Sequence, residues 1–308
     1  MSFDSLVSML QGAGYGDRLK YEEPLAAHTS FAIGGPADLL LVAHEVDELV
    51  EAAALAQRAG VAWRVLGAGT NVLVADRGIR GLVIVNACTR FSVSEEGLLT
   101  ADSGALLSDV ARAVSAQGWA GLAWAAGIPG TVGGAVVNNA GAYGGAMADV
   151  VVSATVRTPE GEVAEWRADR LGYGYRTSAL KSSPDCGRSC IVLRATLALK
   201  RGDAEELAAQ VRQTEEQRGV RVPQGCCAGS VFKRTLHYPA GFLIEQAGLK
   251  GRRIGGAEVS PQHANFIMNV GSATAADVRA LIEEVQDAVR QAFDVELEPE
   301  IQYIGEWD

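Results

Sequence analysis

The run Gly127-Ile-Pro-Gly-Thr-Val-Gly-Gly-Ala-Val-Val-Asn-Asn-Ala-Gly-Ala-Tyr-Gly-Gly145 puts seven glycines into 19 residues. Glycine has no Cβ, so such a run lets backbone approach another group closely and offers N–H groups with no side chain in the way. Ile128, Pro129, Val132, Val136, Val137 and Tyr143 are interspersed, which a flexible linker would lack. No Lys-Ser/Thr follows the glycines, so the run is not a P-loop. Its residues favour a buried nucleotide cradle over a purely structural loop.

With 308 residues, the chain is long enough for about two domains, and its 48% hydrophobic content supports a sizeable core. Disordered, collagenous and low-complexity classes are excluded. A formal net charge of −10 argues against a general nucleic-acid binder. Cys88, Cys186, Cys190, Cys226 and Cys227 are odd in number and scattered, which is no disulfide framework and fits a reducing cytosol. Their spacing also lacks a zinc pattern, so no metal is expected. The opening MSFDSLVSML has an acid where a secretory leader carries basic residues, and no stretch of 18 apolar residues offers a membrane span.

Val46, Leu49, Val50, Ala53 and Ala56 recur at helical spacing before Gly60, predicting a helix over 45–59. Short buried strands are expected at 63–66, 71–74 and 82–85. From about 90 to 205 strands and loops dominate. A helix is expected over 108–117 with Ser108 as its cap, and a hairpin of 150–158 with 163–166 around Pro159-Glu-Gly161. An apolar run over 191–200 breaks at Arg201-Gly-Asp203, and a helix follows over 204–218. Thr274 and Asp277 resemble a capping box before a helix over 275–293, and a terminal strand is expected at 301–304. Joints are expected near 75–90 and 201–206. Charge is uneven: residues 171–259 carry a net +6 while the remainder carries −16, which suggests a site for anionic small molecules.

Four further segments are able to carry chemistry. In Val65-Leu-Gly-Ala-Gly-Thr-Asn-Val-Leu-Val74 a strand enters a Gly-x-Gly-Thr-Asn turn and leaves as another strand. The turn is either an anion nest or an ordinary glycine turn; it is not a Rossmann fingerprint, since the third glycine and the helix are missing. Tyr173-Gly-Tyr-Arg-Thr-Ser178 with Lys181 sets an arginine among hydroxyls, suited to a carboxylate, although a surface arginine is the simpler reading. Gly225-Cys-Cys-Ala-Gly-Ser-Val-Phe-Lys-Arg234 holds Ser230 before two cations; it is no Gly-x-Ser-x-Gly elbow, but a serine there can donate a proton if its alkoxide is stabilised. Glu298-Pro-Glu300 lies on the terminal strand, where a carboxylate is ordinarily exposed and inert.

Taken in order, the motifs resemble one family. They are His28-Thr-Ser-Phe-x-Ile-Gly-Gly-Pro-Ala-Asp38, Leu66-Gly-x-Gly-Thr-Asn71, Ala126-Gly-Ile-Pro-Gly-Thr-Val-Gly-Gly134, Asn139-Ala-Gly-Ala-Tyr-Gly144 and Tyr175-Arg176. Ala228-Gly-Ser-Val-Phe-Lys233, Gly248-Leu-Lys-Gly251, Gly255-Gly-Ala257, Val259-Ser260, His263-Ala-Asn-Phe-Ile267 and Leu297-Glu-x-Glu300 complete the series. From about 24 to 306 the chain resembles the UDP-N-acetylenolpyruvoylglucosamine reductase (UDP-N-acetylmuramate dehydrogenase) family, in its shorter class without the substrate-capping insertion.

The resemblance implies an α+β protein: an FAD-binding fold of the vanillyl-alcohol-oxidase type, made of two α/β subdomains, plus a C-terminal α/β substrate domain. The expected division is 1–206 for FAD, with subdomains about 1–85 and 86–206, then 207–296 for the UDP-sugar and 297–308 as a strand returning toward the active site. It implies non-covalent FAD, NADPH as hydride donor, and UDP-N-acetylglucosamine enolpyruvate as substrate, in a bacterial cytoplasm, with no nucleic acid and no membrane insertion. Gly67, Ala68, Gly69, Thr70 and Asn71 match the pyrophosphate turn. Ile128, Pro129, Gly130, Thr131, Gly133, Gly134, Asn139, Gly141, Ala142 and Tyr143 match the second flavin-contacting segment. Arg176 matches the catalytic arginine, Ser230 the proton donor and Glu300 the catalytic glutamate, with Tyr175, Arg221 and Lys233 toward substrate.

In the implied reaction hydride passes from flavin N5 to the enolpyruvyl methylene carbon and Ser230 protonates its neighbour. The chain departs from the family at Arg234-Thr235, where Asn-Pro is common, and at Val137-Asn138, where an aromatic–Met pair is frequent. Two other readings are an FAD-dependent oxidase of the same superfamily and a non-catalytic UDP-sugar sensor. The first is disfavoured because the glycine-rich flavin segments contain no histidine for a covalent link, the second because Arg176, Ser230 and Glu300 are all present.

Overall fold

A computed structural model describes residues 2–182 and 190–307; Cys186 lies outside them. The chain divides into two compact units, one of Met1–Leu19, Leu40–Ala68 and Leu82–Arg218, the other of Lys20–Leu39, Gly69–Gly81 and Gly219–Asp308.

In the first unit the apolar stripe makes the helix Val46–Ala59, which Gly60 stops in the left-handed region at φ 68°. The strand Trp63–Leu66 then pairs in parallel with Ile79–Asn86, Trp63 opposite Leu82 and Leu66 opposite Val85. A five-stranded antiparallel sheet runs in the order Val163–Arg167, Val151–Arg157, Ile191–Ala198, Leu98–Asp102, Phe91–Val93. Its first hairpin turns where Pro159-Glu-Gly161 predicts: Thr158 N–H donates to Glu162 O at 2.7 Å and Gly161 takes φ 93°. Leu99, Val110, Val136, Val156 and Leu197 meet in one apolar core. Arg157 is buried at 1% exposure. Its guanidinium donates to Gln57 Oε1 at 2.7 Å and lies 5.7 Å from the centre of the Trp63 ring, and burial pushes its pKa down.

The helix expected over 108–117 spans Leu107–Ala116, with Leu106 and not Ser108 at the cap. The shift has a physical cause. Leu107 N–H donates to Gly130 O at 3.0 Å and Val132 N–H to Ala105 O at 2.8 Å, so a bridge to the glycine-rich run fixes the start of the helix. That run itself contains the helix Val132–Asn138, which its composition did not reveal. The helix expected over 204–218 continues to Arg221. Cys190 is disulfide-bonded, a pairing the scattered cysteines did not predict.

In the second unit the strand Gln302–Ile304 pairs in parallel with Val72–Val74. The strands Arg253–Ile254, Ala257–Val259 and Ile267–Asn269 form an antiparallel sheet. The helix Ala275–Phe293 packs Val278, Leu281, Ile282, Val285 and Val289 into a core with Phe31, Leu73, Phe232 and Ile301. Its start is doubly capped. Thr274 and Asp277 form the expected box, and Asp76 accepts the N–H groups of Ala275 (2.8 Å) and Ala276 (2.9 Å).

Candidate active site

In the first unit, Gly67 follows the strand Trp63–Leu66, and a Cβ placed there would lie 2.7 Å from Thr131 Oγ1. Only glycine lets these two segments meet. Thr131 caps the helix Val132–Asn138, accepting the Gly134 N–H at 3.3 Å. Gly133 N–H donates to Ser103 O at 2.8 Å, and a Cβ on Gly133 would lie 2.8 Å from Ser103 Cβ. Gly134 is exposed, and a Cβ there would meet only Thr131 Oγ1, at 3.5 Å. The structure therefore joins Gly67, with Ala68 beside it, to Thr131, Gly133 and Gly134. Ile128, Pro129 and Gly130 lead in, with Ile128 against the core and Gly130 at φ 110°.

Asn139 ends that helix in the left-handed region, at φ 45°. Gly141-Ala142 pairs with Gly145-Ala146 across a two-residue turn in which Tyr143 (φ 51°) and Gly144 (φ 86°) are both left-handed. Arg176 sits close by in a second tight turn. Gly174 and Thr177 exchange backbone hydrogen bonds of 3.1 and 3.3 Å, and Arg176 between them takes φ 55°. Arginine rarely occupies that region, and such strain concentrates at working positions. Arg176 Nη1 donates to Gly141 O at 3.0 Å, and its guanidinium lies 5.6 Å from the centre of the exposed Tyr175 ring.

Three side chains hold this turn, and sequence reasoning gave none of them that task. Asn139 Nδ2 donates to Gly174 O at 2.9 Å, Lys181 Nζ to Arg176 O at 3.2 Å and to Asn138 Oδ1 at 2.9 Å, and Ser178 Oγ to Val137 O at 2.7 Å. Tyr173 enters the turn with its hydroxyl buried and without a hydrogen-bond partner among the described residues. Burial pushes its pKa up, so it stays a protonated donor.

In the second unit, Gly69 takes φ 62°, and a Cβ there would lie 2.2 Å from His28 O. Its carbonyl accepts the Ser30 N–H at 3.1 Å, while Ser30 Oγ donates to Cys227 O at 2.6 Å. Ser30 thus ties the Gly69-Thr70-Asn71 turn to the segment that carries Ser230. Asn71 Nδ2 donates to Glu300 O at 3.3 Å, and Gln302 N–H donates to Asn71 O at 3.0 Å. Glu300 N–H donates to Val231 O at 2.7 Å, Lys233 N–H to Glu298 O at 2.9 Å, and Phe232 bridges to Pro299. Ser230 and Glu300, both half-buried, therefore lie on hydrogen-bonded segments beside Asn71. Lys233 is ion-paired with Glu298, and Arg221 is exposed at the end of its helix. No signal in the sequence marked Ser30 beyond its place in the His28-Thr-Ser-Phe motif, because its two partners are distant along the chain.

Residues 37–167 match the model of the FAD binding domain, which places the chain in the flavin-binding class. Residues 221–304 match the model of the UDP-N-acetylenolpyruvoylglucosamine reductase C-terminal domain. The UDP-N-acetylenolpyruvoylglucosamine reductase of Alkaliphilus oremlandii is 42% identical over 292 residues, 94% of each chain. That of Rubrobacter xylanophilus is 45% identical over 288 residues, 93% of this chain and 95% of its own. The crystal structure of UDP-N-acetylenolpyruvylglucosamine reductase from Thermus caldophilus superposes with a TM-score of 0.78 at 33% identity, covering 92% of this chain and 99% of that one. The chain belongs to the UDP-N-acetylenolpyruvoylglucosamine reductase family. Its fold is an FAD-binding domain of the vanillyl-alcohol-oxidase type with that family's C-terminal domain, and its 308 residues agree with the shorter class.

Proposed function

We propose that the chain reduces UDP-N-acetylglucosamine enolpyruvate to UDP-N-acetylmuramate, a step in making peptidoglycan precursors, with non-covalent FAD and with NADPH as hydride donor. It is a flavoprotein oxidoreductase of the bacterial cell-wall route, and we place it in the cytoplasm. The observation that carries this reading is the Glu300 N–H bond to Val231 O, which sets the proposed glutamate and serine on adjoining segments in a chain of this family. Among the described residues no helix is long and apolar enough to cross a membrane. We assign 1–206 to the cofactor, with subdomains about 1–85 and 86–206, 207–296 to the sugar nucleotide, and 297–308 to a strand returning toward the active site.

The residues fit the flavin. The exposed, unobstructed Gly134 gives backbone access, while the close approach at Gly67 and Gly133 packs the two segments against Thr131 and Ser103. The buried Tyr173 hydroxyl offers a hydrogen bond that no described protein group takes. Gly67, Ala68, Gly69, Thr70 and Asn71 would hold the pyrophosphate. Ile128, Pro129, Gly130, Thr131, Gly133, Gly134, Asn139, Gly141, Ala142 and Tyr143 would line the second flavin segment. When bound, FAD supplies hydride to the enolpyruvyl methylene carbon.

Arg176 holds the substrate carboxylate through two parallel N–H bonds. Negative charge gathers on the carbon beside the methylene and spreads into that carboxylate. A guanidinium already fixed by its turn stabilises the charge without reorganising. Glu300 positions and stabilises the enol-like form. Ser230 gives its hydroxyl proton to the carbon, completing the lactyl ether. A neutral donor suits the step, because it does not quench the charge before the proton moves. Tyr175, Arg221 and Lys233 contact the sugar nucleotide, and Lys233 supports the serine alkoxide. Incubation with NADPH and the enolpyruvyl sugar nucleotide should consume both and yield a product heavier by two hydrogens. NADPH consumption that does not depend on the sugar nucleotide would contradict the reading.

A further inference from the structure

The motif His263-Ala-Asn-Phe-Ile267 has no part in the chemistry above, yet its asparagine meets the proposed proton donor's segment at three points. Asn265 is 8% exposed. Its Oδ1 accepts the Phe232 N–H at 3.0 Å and its Nδ2 donates to the Phe232 C=O at 2.8 Å. Its own C=O accepts the Val231 N–H at 2.8 Å. One residue therefore satisfies three polar groups of the two residues that follow Ser230. Val231 is held from both sides, since its C=O takes the Glu300 N–H at 2.7 Å. Asn265 is itself anchored. Its N–H donates to His263 Nδ1 at 3.2 Å, and the His263 ring packs edge-on against Phe266 at 4.9 Å between centroids. Burial holds the His263 pKa below its ordinary value, which keeps Nδ1 an acceptor.

We infer that Asn265 is a positioning residue for Ser230, and through Val231 for Glu300; the inference rests on the reading of Ser230 as proton donor. Gly229, before the serine, takes φ 76° and has no side chain to fix its place. The segment is also tied at Cys227 by Ser30, but Gly229 lies between that tie and the serine, so the nearest fixed neighbours of Ser230 are Val231 and Phe232, held by the clamp. A proton donor works only within hydrogen-bond reach of the accepting atom. Releasing the clamp lets the hydroxyl drift while the flavin-binding residues of the first unit are left alone.

The test compares Asn265→Asp, Asn265→Ala and Ser230→Ala, each loaded with FAD, in the two half-reactions measured separately. Asp keeps the acceptor for Phe232 N–H and loses the donor to Phe232 C=O, so this variant keeps the test alive if Asn265→Ala does not fold. Asn265→Asp should slow reoxidation by the enolpyruvyl sugar nucleotide about 100-fold, with reduction by NADPH changed less than about twofold and half-saturation by the sugar nucleotide less than about threefold. Adding Asn265→Asp to Ser230→Ala should lower the residual rate no further, since both changes remove the same positioned proton. In the wild-type holoenzyme the Val231 and Phe232 amides should exchange slowly with solvent, and in Asn265→Asp they should exchange faster. If Ser230→Ala reoxidises normally, the donor reading fails. If Ser230→Ala is inactive while Asn265→Asp reoxidises within about threefold of wild type, the positioning inference alone fails. Equal loss in both half-reactions, or fast exchange of those amides in wild type, would also overturn it.

Discussion

Arg176 is held in a turn where its backbone is left-handed, and its guanidinium is aimed by contacts that cost the chain some strain. Arg176→Lys keeps the charge but loses the planar fork, so reoxidation by the sugar nucleotide should slow about 10- to 100-fold while reduction by NADPH is unchanged. Stopped-flow traces of the two half-reactions check this. Glu48 offers a prediction away from the chemistry. Two hydrogen bonds from the Arg18 guanidinium, the largest cause, hold its carboxyl at about 2, below the ordinary 4.5. A depressed carboxylate stabilises the fold fully above its ordinary value and loses that contribution as pH falls through its folded value. Glu48→Gln should therefore cost about 1–2 kcal/mol at pH 7, discounted for partial exposure, and the difference should close as pH falls from about 4.5 toward 2. Denaturant titrations across that range measure it. At this scale the proposed roles of Arg176, Ser230 and Glu300 came from the order of the motifs; taken alone, the arginine read as a surface residue and the glutamate as inert. Ser30, Lys181 and Asn265 were not legible as structural ties, since each acts through backbone groups of another segment.

The helix Val132–Asn138 exists because its neighbours demand it. Its sequence, Val-Gly-Gly-Ala-Val-Val-Asn, has two glycines, each of which disfavours a helix by about 1 kcal/mol relative to alanine. Bonds from Val132 and Gly133 to Ala105 and Ser103 offset that cost. Gly133→Ala should thus destabilise the protein by about 1–3 kcal/mol, against helix propensity, because its Cβ meets Ser103. Gly134→Ala should leave the apoprotein as stable or up to about 1 kcal/mol more so, yet speed FAD release, because its open face is where the cofactor would approach. Thermal melting of the apoproteins and flavin release from the holoproteins separate the two outcomes. By contrast, the helix Ala275–Phe293 was legible to the residue: five turns of apolar period and a capping box are local signals. Its second cap was not, because Asp76 lies about 200 residues away; Asp76→Ala should cost about 0.5–2 kcal/mol in a melting experiment.

Across the whole molecule, two early segments, Lys20–Leu39 and Gly69–Gly81, belong to the compact unit that also holds the last 90 residues. Local pattern does not show this, because it depends on pairing such as Val72–Val74 with Gln302–Ile304. Composition set the class of chain, and the order of motifs set the family, but interleaving is a property of long-range strand pairing. The acidic chain with a cationic middle section is consistent with a handler of anionic ligands, without naming one. In the proposed reaction hydride from NADPH reaches the enolpyruvyl sugar nucleotide by way of bound flavin. The most direct measurement is a visible spectrum of the holoprotein under anaerobic conditions, followed through addition of NADPH and then of the enolpyruvyl sugar nucleotide. The flavin band should bleach with NADPH and return when the sugar nucleotide is added. A bleached band that returns only when oxygen is admitted would contradict the account and mark an oxidase; no flavin band even after adding FAD would mark a binding protein without redox chemistry.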